Sequence, residues 1–172
     1  PAMADDGKLY SIYNDEMVKE MRKLITKAFI IKPNYTEACF LLDMPYDPTP
    51  QSEEVIYDMC RSLHEQGPEY VVLSSLPSED SALIAVYRGS TDTITWVSNP
   101  LVQVKAHGTG DTFTAILTAL VLRGYSPEEA SRIAGQFTTE AVQFTHEEIG
   151  SLRDGLALEL LLDRLISIPD PQ

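Results

Sequence analysis

The spacing of apolar and polar residues predicts alternating helices and strands in the first half of the chain. Apolar side chains recur at helical spacing over residues 17–25, after the N-cap signal Asn14, and again over residues 52–65. Two short apolar runs, residues 28–31 and Tyr70–Leu73, are typical of buried strands. Because helices and strands alternate, we expect an α/β fold with a mainly parallel sheet.

The second half of the chain predicts a hairpin followed by helices. Two strand-like runs, residues 81–87 and 93–97, flank a turn sequence at residues 89–92. The helices are expected over residues 111–122, 126–146 and 156–166, with Gly124 ending the first and Ser126 capping the second. Two central strands and one hairpin are few for a complete doubly wound sheet, so we expect further residues upstream of Pro1.

Asn34 and Glu37 form the first group of residues with chemical potential. They follow Lys32 and Pro33, and their spacing places them on one face of a helix predicted to run to residue 42. The pattern is that of a capping box, which begins a helix. A carboxylate and an amide at the end of a strand also suit a magnesium ion with its water and phosphate ligands. The residues alone favour the capping box and leave the metal role open.

The run Gly108-Thr109-Gly110-Asp111 is the second group. Two glycines allow the backbone to approach a ligand closely, and the run opens into an apolar helix. Free amides and the positive end of the helix dipole would then form an anion site, with Asp111 beside it. Taken alone, the run is more typical of a capped turn than of a catalytic site. The chain contains no Walker loop.

Two further turns are candidates only in combination with these groups. Ser74 and Ser75 follow the second predicted strand, at the end where α/β folds bind ligands. A solvated turn is the alternative for them. Asp5 and Asp6 precede Gly7 in a turn and would not by themselves indicate a metal site.

Composition narrows the classes of function. Of 172 residues, 13 are Lys or Arg and 26 are Asp or Glu, for a net charge of −13. Such a balance argues against nucleic-acid binding, which depends on cations that neutralise phosphates, whereas a mononucleotide site needs few donors. No apolar run reaches about 18 residues, so we expect no membrane span and a cytoplasmic protein. Cys39 and Cys60 lack metal-site spacing, and we expect reduced, buried thiols.

In order and spacing, these stretches resemble the pyridoxal kinases of the ribokinase-like superfamily. That family has Asp-Pro-Val-Met-Gly-Asp, Gly-Lys-Leu-Tyr, Thr-Pro-Asn-x-x-Glu, a strand ending in Thr-Ser, and Gly-Thr-Gly-Asp opening a helix. This chain has Pro1-Ala2-Met3-Ala4-Asp5, Gly7-Lys8-Leu9-Tyr10, Pro33-Asn34-x-x-Glu37, Ser74-Ser75 and Gly108-Thr109-Gly110-Asp111. The resemblance extends to about residue 122. It implies a three-layer α/β/α ribokinase-like fold, of which residues 1–172 would be the C-terminal, ATP-binding portion of a single domain.

The resemblance also implies a role for each matching residue. Asp111 would be the catalytic base that accepts the proton of a 5′-hydroxyl, and Gly108, Thr109 and Gly110 would form the anion hole. The other implied positions are Asn34, Ser74 and Ser75 for ATP, Glu37 and Asp5 for magnesium, and Tyr10 and His107 as secondary candidates. Lys32 stands where the family has the Thr that helps to place the phosphates or a monovalent cation. This puts the cation site in doubt and makes Lys32 a candidate phosphate partner.

The implied function is phosphorylation of pyridoxal, pyridoxine or pyridoxamine by ATP with Mg²⁺, in a homodimeric enzyme without nucleic-acid or membrane partners. One alternative is a hydroxymethylpyrimidine kinase of the same superfamily, which lacks the Gly-Lys-Leu-Tyr run seen at Gly7 to Tyr10. Another is a catalytically silent nucleotide-binding module. In the family the vitamin pocket comes mostly from the N-terminal half. We therefore expect residues 1–172 alone to be inactive and to expose an apolar sheet edge.

Overall fold

A computed structural model describes residues 1–104, 106–152 and 155–171 of the chain. These residues fall into two compact units, Pro1–Ser98 and Asn99–Gln172, and each is described by itself. Among the described residues, no helix combines the length and apolar character that crossing a membrane requires.

The first unit holds a mixed sheet, a small separate hairpin and helices. The strands are β1 (Ala4–Asp5), β2 (Lys8–Leu9), β3 (Ile30–Ile31), β4 (Tyr70–Leu73), β5 (Ser81–Arg88) and β6 (Thr93–Pro100), the last of which continues past Ser98. The helices are α1 (Asp15–Ile25), α2 (Tyr35–Leu42) and α3 (Glu53–His64). β1 and β2 pair as an antiparallel hairpin, and the larger sheet has the order β3-β4-β5-β6.

The α/β class is confirmed, and the described sheet is mixed rather than mainly parallel. β3 pairs in parallel with β4, with Ile30 opposite Tyr70 and Ile31 opposite Val71. β5 lies antiparallel to β4. The physical reason is the short connection of residues 74–80 between them, because a parallel crossover needs about a dozen residues or more.

The core of the first unit is centred on β4 and α3. β4 is buried along its whole length, as expected of a strand covered on both faces. α3 contributes Ile56, Met59, Cys60 and Leu63 to the same apolar cluster. Both cysteines are free and buried, as the sequence predicts, and burial raises the pKa of the Cys60 thiol to about 12.

β3 is shorter than the apolar run that predicts it. The expected strand covered residues 28–31. Because the amide of Ala28 donates to the carbonyl of Ile25, Ala28 belongs to the turn that ends α1, and the strand begins only at Ile30. Phe29 is consequently 62% exposed, although its ring meets Tyr70 edge to face. β3 lies at one edge of the described sheet.

The second unit is built on two helices that pack against each other, α4 (Thr109–Leu122) and α5 (Pro127–Phe144). The predicted turn between them is confirmed: Gly124 has φ 98°, and Ser126 caps α5 by accepting a hydrogen bond from the amide of Glu129. α5 continues into a π-helical turn at Thr145–Ile149.

The last predicted helix is too long. Helical geometry is limited to a 3-10 turn at Leu158–Leu160 and to α6 (Leu162–Ile166), instead of residues 156–166. Ala157 takes a non-helical conformation while its amide donates to Thr145 Oγ1, at 3.0 Å. The apolar periodicity of the sequence gives no sign of this hydrogen bond, which forms where the predicted helix is interrupted.

Candidate functional site

The N-terminus of α2 carries the first candidate group, Asn34 and Glu37. Asn34 is the N-cap that follows β3, and its Oδ1 accepts the amide of Glu37 at 2.7 Å. Glu37 Oε2 accepts the amide of Asn34 in return, at 2.9 Å. The predicted capping box is therefore confirmed.

The same two side chains also hold the β1–β2 hairpin. Glu37 Oε1 accepts the amide of Met3 at 2.8 Å, and Asn34 Nδ2 donates to the carbonyl of Ala4 at 2.8 Å. Glu37 is only 3% exposed, and each carboxylate oxygen accepts one backbone amide. A carboxylate has about four lone-pair sites, so further contacts to water or metal remain chemically available.

Ser74 and Ser75 have different environments. Ser74 extends the pairing of β3 and β4: its amide donates to the carbonyl of Pro33, and its carbonyl accepts the amide of Tyr35. It is 8% exposed, with Oγ 3.5 Å from the Pro33 carbonyl oxygen. Ser75 is exposed and has φ 54°. The structure thus places Ser74 beside the cap of α2 and turns Ser75 to solvent.

The remaining candidates of the first unit belong to the hairpin or to the end of β3. Asp5 is exposed on β1, and Asp6 and Gly7 form a two-residue turn with φ 49° and 75°. Tyr10 is 47% exposed, and its amide donates to the carbonyl of Met3. Lys32 is half-buried directly after β3.

The donor set of the first unit fits Mg²⁺ that arrives with phosphates. Asp5 and Glu37 offer carboxylate oxygens, the donor type that Mg²⁺ prefers. No group of three or more metal-ligating side chains occurs in the part of the chain that the structure describes. A nucleotide-associated Mg²⁺ does not need one, because one or two carboxylates, waters and phosphates complete its shell.

The N-terminus of α4 carries the second candidate group. Gly108 is the N-cap with φ 82°, and among the described residues no side-chain hydrogen bond caps the helix. Helical geometry begins at Thr109, two residues earlier than predicted, so Gly110 lies in the first turn instead of the loop. Apart from Gly108 itself and its two chain neighbours, no described atom lies within 4 Å of the point where a Cβ on Gly108 would stand.

The first turn of α4 therefore places backbone amides next to a carboxylate, an arrangement typical of anion sites. The amide of Thr112 makes the first intrahelical bond, to the carbonyl of Gly108, so the preceding amides have no partner within the helix. Asp111 and His107 are both exposed there. Amides and dipole attract negative charge, while the carboxylate of Asp111 can accept a proton.

Sequence reasoning missed the contacts that hold the hairpin turn. The amide of Gly7 donates to Thr36 Oγ1 at 3.1 Å. A Cβ on Gly7 would stand 2.6 Å from Cδ1 of Tyr46, whose ring also lies 5.6 Å from that of Tyr35. The dipeptide Asp6-Gly7 was a sequence signal for the turn, but nothing local pointed to its partners.

Comparison with solved structures gives the fold. The chain matches a putative phosphomethylpyrimidine kinase from Bacteroides thetaiotaomicron with a TM-score of 0.93 and 34% identity, over 99% of this chain and 59% of that one. A second crystal form of that protein contains pyridoxal. Pyridoxal kinase from Lactobacillus plantarum matches with a TM-score of 0.86 and 29% identity, over 97% of this chain and 59% of that one. The fold is that of the ribokinase-like pyridoxal and hydroxymethylpyrimidine kinases.

A more distant structural match is a complex with both a nucleotide analogue and pyridoxal. Pyridoxal kinase from Staphylococcus aureus, in complex with AMP-PCP and pyridoxal, matches with a TM-score of 0.68 and 27% identity, over 78% of this chain and 49% of that one.

Curated relatives include kinases for two substrate classes. A hydroxymethylpyrimidine/phosphomethylpyrimidine kinase from Bacillus subtilis is 29% identical over 139 residues, which is 78% of this chain and 49% of the relative. A pyridoxine kinase from the same organism is 28% identical over 146 residues, which is 83% of this chain and 52% of the relative. The chain thus spans about half the length of these relatives. The family model for phosphomethylpyrimidine kinase matches residues 2–155, and the chain belongs to that family.

Proposed function

We propose that this chain is the phosphoryl-transfer portion of an ATP-dependent kinase that phosphorylates the 5′-hydroxyl of pyridoxal, pyridoxine or pyridoxamine. The observation that carries the proposal is the N-terminus of α4, which has no side-chain cap and holds an exposed Asp111 in its first turn. Membership of a kinase family, and matches to kinases described with AMP-PCP and pyridoxal, support it.

The second unit has the groups that phosphoryl transfer needs. The carboxylate of Asp111 accepts the proton as the substrate hydroxyl oxygen attacks the γ-phosphorus. The bond to the β,γ-bridging oxygen breaks, and ADP leaves. Amides of the first turn, with Gly108 permitting close approach, stabilise charge on the transferred group. Because the reaction depends mainly on positioning and charge neutralisation, Asp111 need not be strongly basic.

The first unit holds the candidates for binding the nucleotide phosphates and the metal. They are Asn34, Ser74, Ser75 and Lys32 for ATP and Asp5 and Glu37 for the metal, with Tyr10 as a secondary candidate. When bound, Mg²⁺ neutralises phosphate charge. Glu37, held by two backbone amides, acts through its remaining lone pairs or through water. Lys32 supplies a positive charge at the end of β3, where the resembling kinases carry a Thr.

A vitamin B6 substrate is supported by two kinds of observation. The run Gly7-Lys8-Leu9-Tyr10 is the one that the resembling pyridoxal kinases have and the hydroxymethylpyrimidine kinases lack. Gly7 lies in the turn of the hairpin that is attached to α2, and Lys8–Leu9 form its second strand. The Bacteroides structure with pyridoxal is 34% identical to this chain over 60% of its own length, and the Lactobacillus pyridoxal kinase matches at a TM-score of 0.86.

Hydroxymethylpyrimidine is the second candidate substrate. It is favoured by the family model and by the Bacillus kinase that is 29% identical to this chain. Both substrates are hydroxymethyl-substituted nitrogen heterocycles, so the groups of the second unit would serve either one.

Parallel steady-state assays of the complete enzyme with pyridoxal and hydroxymethylpyrimidine, at saturating ATP, separate the candidates. We expect kcat/KM for pyridoxal to be the larger. A larger value for hydroxymethylpyrimidine would select the second candidate. Tight ATP binding without phosphorylation of either compound would support the silent module instead.

We also propose that residues 1–172 bind nucleotide alone but do not turn over substrate, since the resemblance assigns the vitamin pocket to another part of the fold. Full activity of the 172-residue chain in the same assay would refute this. The homodimer and the cytoplasmic location stay predictions, which analytical ultracentrifugation of the complete protein and cell fractionation would test.

A further inference from the structure

The β1–β2 hairpin is too small to hold its own position. It consists of two residue pairs, Ala4 with Leu9 and Asp5 with Lys8. The connecting residues, Asp6 and Gly7, both have positive φ, as in the tight turns that favour Asp-Gly. An isolated two-stranded ribbon is marginally stable at best. The position of the exposed Asp5 carboxylate therefore depends on what the hairpin is attached to.

The first turn of α2 provides the attachment through three side chains. Asn34 donates to the carbonyl of Ala4, and Glu37 accepts the amide of Met3. Both of these residues also form the capping box of α2, so changing either would disturb the helix itself. Thr36 takes no part in the box, and its hydroxyl accepts the amide of Gly7 at 3.1 Å.

Gly7 is confined by this contact and by Tyr46. Thr36 is 3% exposed, so its hydroxyl is sequestered from water. The ring of Tyr46 lies so close to Gly7 that any side chain at position 7 would collide with it. The turn is thus fixed at its backbone, directly after Asp5.

We infer that Thr36 is a positioning residue, which holds the Asp5–Gly7 turn against α2 so that the Asp5 carboxylate is placed for the magnesium–phosphate group. The inference rests on the proposed function. Mg²⁺ demands near-ideal octahedral geometry, and groups that orient metal ligands typically change metal affinity by about 10–100-fold when they are altered. Thr36 itself touches neither metal nor phosphate in this arrangement.

The test uses the complete protein with ADP as the probe, titrated by calorimetry over a series of Mg²⁺ concentrations. We expect Thr36→Val, which removes the hydroxyl but keeps the shape, to raise the Mg²⁺ concentration for half-maximal ADP binding about 10-fold. Thr36→Ser, which keeps the hydroxyl, should restore the wild-type value to within about twofold. ADP affinity without metal should be the same in all three proteins.

A matched control is Thr145→Val. Thr145 is also buried, and its hydroxyl also accepts a backbone amide, that of Ala157. Its loss should lower the melting temperature without changing the Mg²⁺ dependence. If Thr36→Val does not fold by circular dichroism, Thr36→Ala takes its place in the same comparison.

A double-mutant cycle separates positioning from general destabilisation. In the Asp5→Asn background, Thr36→Val should have no further effect on the Mg²⁺ dependence. The inference is overturned if Thr36→Val behaves as wild type, if Thr36→Ser behaves as Thr36→Val, or if the effect persists in Asp5→Asn.

The same titrations distinguish this inference from the proposed function. A wild-type chain without Mg²⁺-dependent ADP binding would overturn both. Mg²⁺-dependent binding that Asp5→Asn weakens and Thr36→Val leaves unchanged would overturn the inference alone.

Discussion

Helices α2 and α4 both begin within runs that predict a helix start, but their N-terminal amides meet different partners. At α2, Asn34 and Glu37 bind each other's backbone amides and also hold the hairpin. At α4, Gly108 has no side chain to offer, and no side chain caps the first turn. The first helix end is bound by side chains of the protein itself, and at the second no described side chain caps the amides, which the proposed function assigns to the transferred phosphoryl group.

The difference between the two helix starts has a consequence for the local stability of α4. An N-cap side chain stabilises a helix by about 0.5–2 kcal/mol, and α4 lacks this contribution. Its stability comes from packing: Phe113, Ile116, Leu117 and Leu120 are all buried, and the helix lies against α5. A helix end that is left open on a well-packed helix is the arrangement expected of an anion site.

The largest effect is expected for Asp111→Ala in the complete enzyme. Loss of the proton acceptor should lower kcat by about 10²–10⁴-fold, the usual contribution of a general base. ADP affinity should change little, because the amides of the first turn remain. Steady-state kinetics and calorimetry measure the two effects.

Asp163→Ala is the control for this substitution. Asp163 is likewise an exposed acid in the first turn of a helix of the second unit. It should leave kcat near the wild-type value. Near-normal turnover of Asp111→Ala would contradict the catalytic role proposed for Asp111.

Glu37→Gln tests the N-terminus of α2, where the Glu37 carboxylate binds backbone amides of the protein itself. The buried carboxylate accepts two backbone amides, and an amide side chain would replace one acceptor oxygen by a donor. Since hydrogen bonds to a charged group contribute about 1.5–3 kcal/mol each, we expect a loss of about 2–3 kcal/mol in the free energy of unfolding, measured by urea denaturation.

Glu129→Gln, at the same helical position of α5, is the matched control. Glu129 is bound to Arg132 at the surface, and such pairs are worth about 0–1 kcal/mol. Equal destabilisation by the two substitutions would mean that the buried hydrogen bonds of Glu37 stabilise the protein no more than the surface ion pair of Glu129 does.

Gly108→Ala should have a smaller effect on stability, about 1–2 kcal/mol, because an L-residue at φ 82° is strained. Gly110→Ala is the counterpart: Gly110 lies inside the first turn without positive φ, so alanine there should be neutral or stabilising. Thermal melts of both variants check the contrast. Equal melting temperatures would argue against the left-handed cap at Gly108.

The smallest effect concerns the turn between β5 and β6, where a carboxylate is also bound by the protein but at the surface. Asp92 accepts hydrogen bonds from the hydroxyls of Tyr87 and Tyr57, which lower the pKa of its carboxyl group. The folded pKa lies below the unfolded one. The contribution is therefore present above the unfolded value, about 4, and is lost as the pH falls through the folded pKa.

Urea midpoints of wild type and Asp92→Asn, compared from pH 7 to pH 3, measure this contribution. The difference between the two proteins should shrink below about pH 4. A difference that is constant over this range would show that the charge of Asp92 contributes nothing.

The candidate site could be predicted from sequence to the extent that it is local. The caps Asn34 and Ser126 and the turn at Gly124 are confirmed, because capping and turn chemistry act over a few residues. The last helix was predicted too long, because its start is tied to Thr145. Thr36 was overlooked, since its partner is 29 residues away in the chain.

By itself, the sequence determined the alternation of elements, the capping box of α2 and the glycine run that opens α4, because each depends on neighbouring residues. Only the tertiary structure decided that the sheet is mixed, that Glu37 is buried under a hairpin, and that Gly108 leaves its helix without a side-chain cap. The physical reason is that burial and hydrogen-bond partners are properties of residues brought together by folding. A sequence motif identifies groups that could bind a ligand, and the tertiary structure determines whether those groups already bind other parts of the protein.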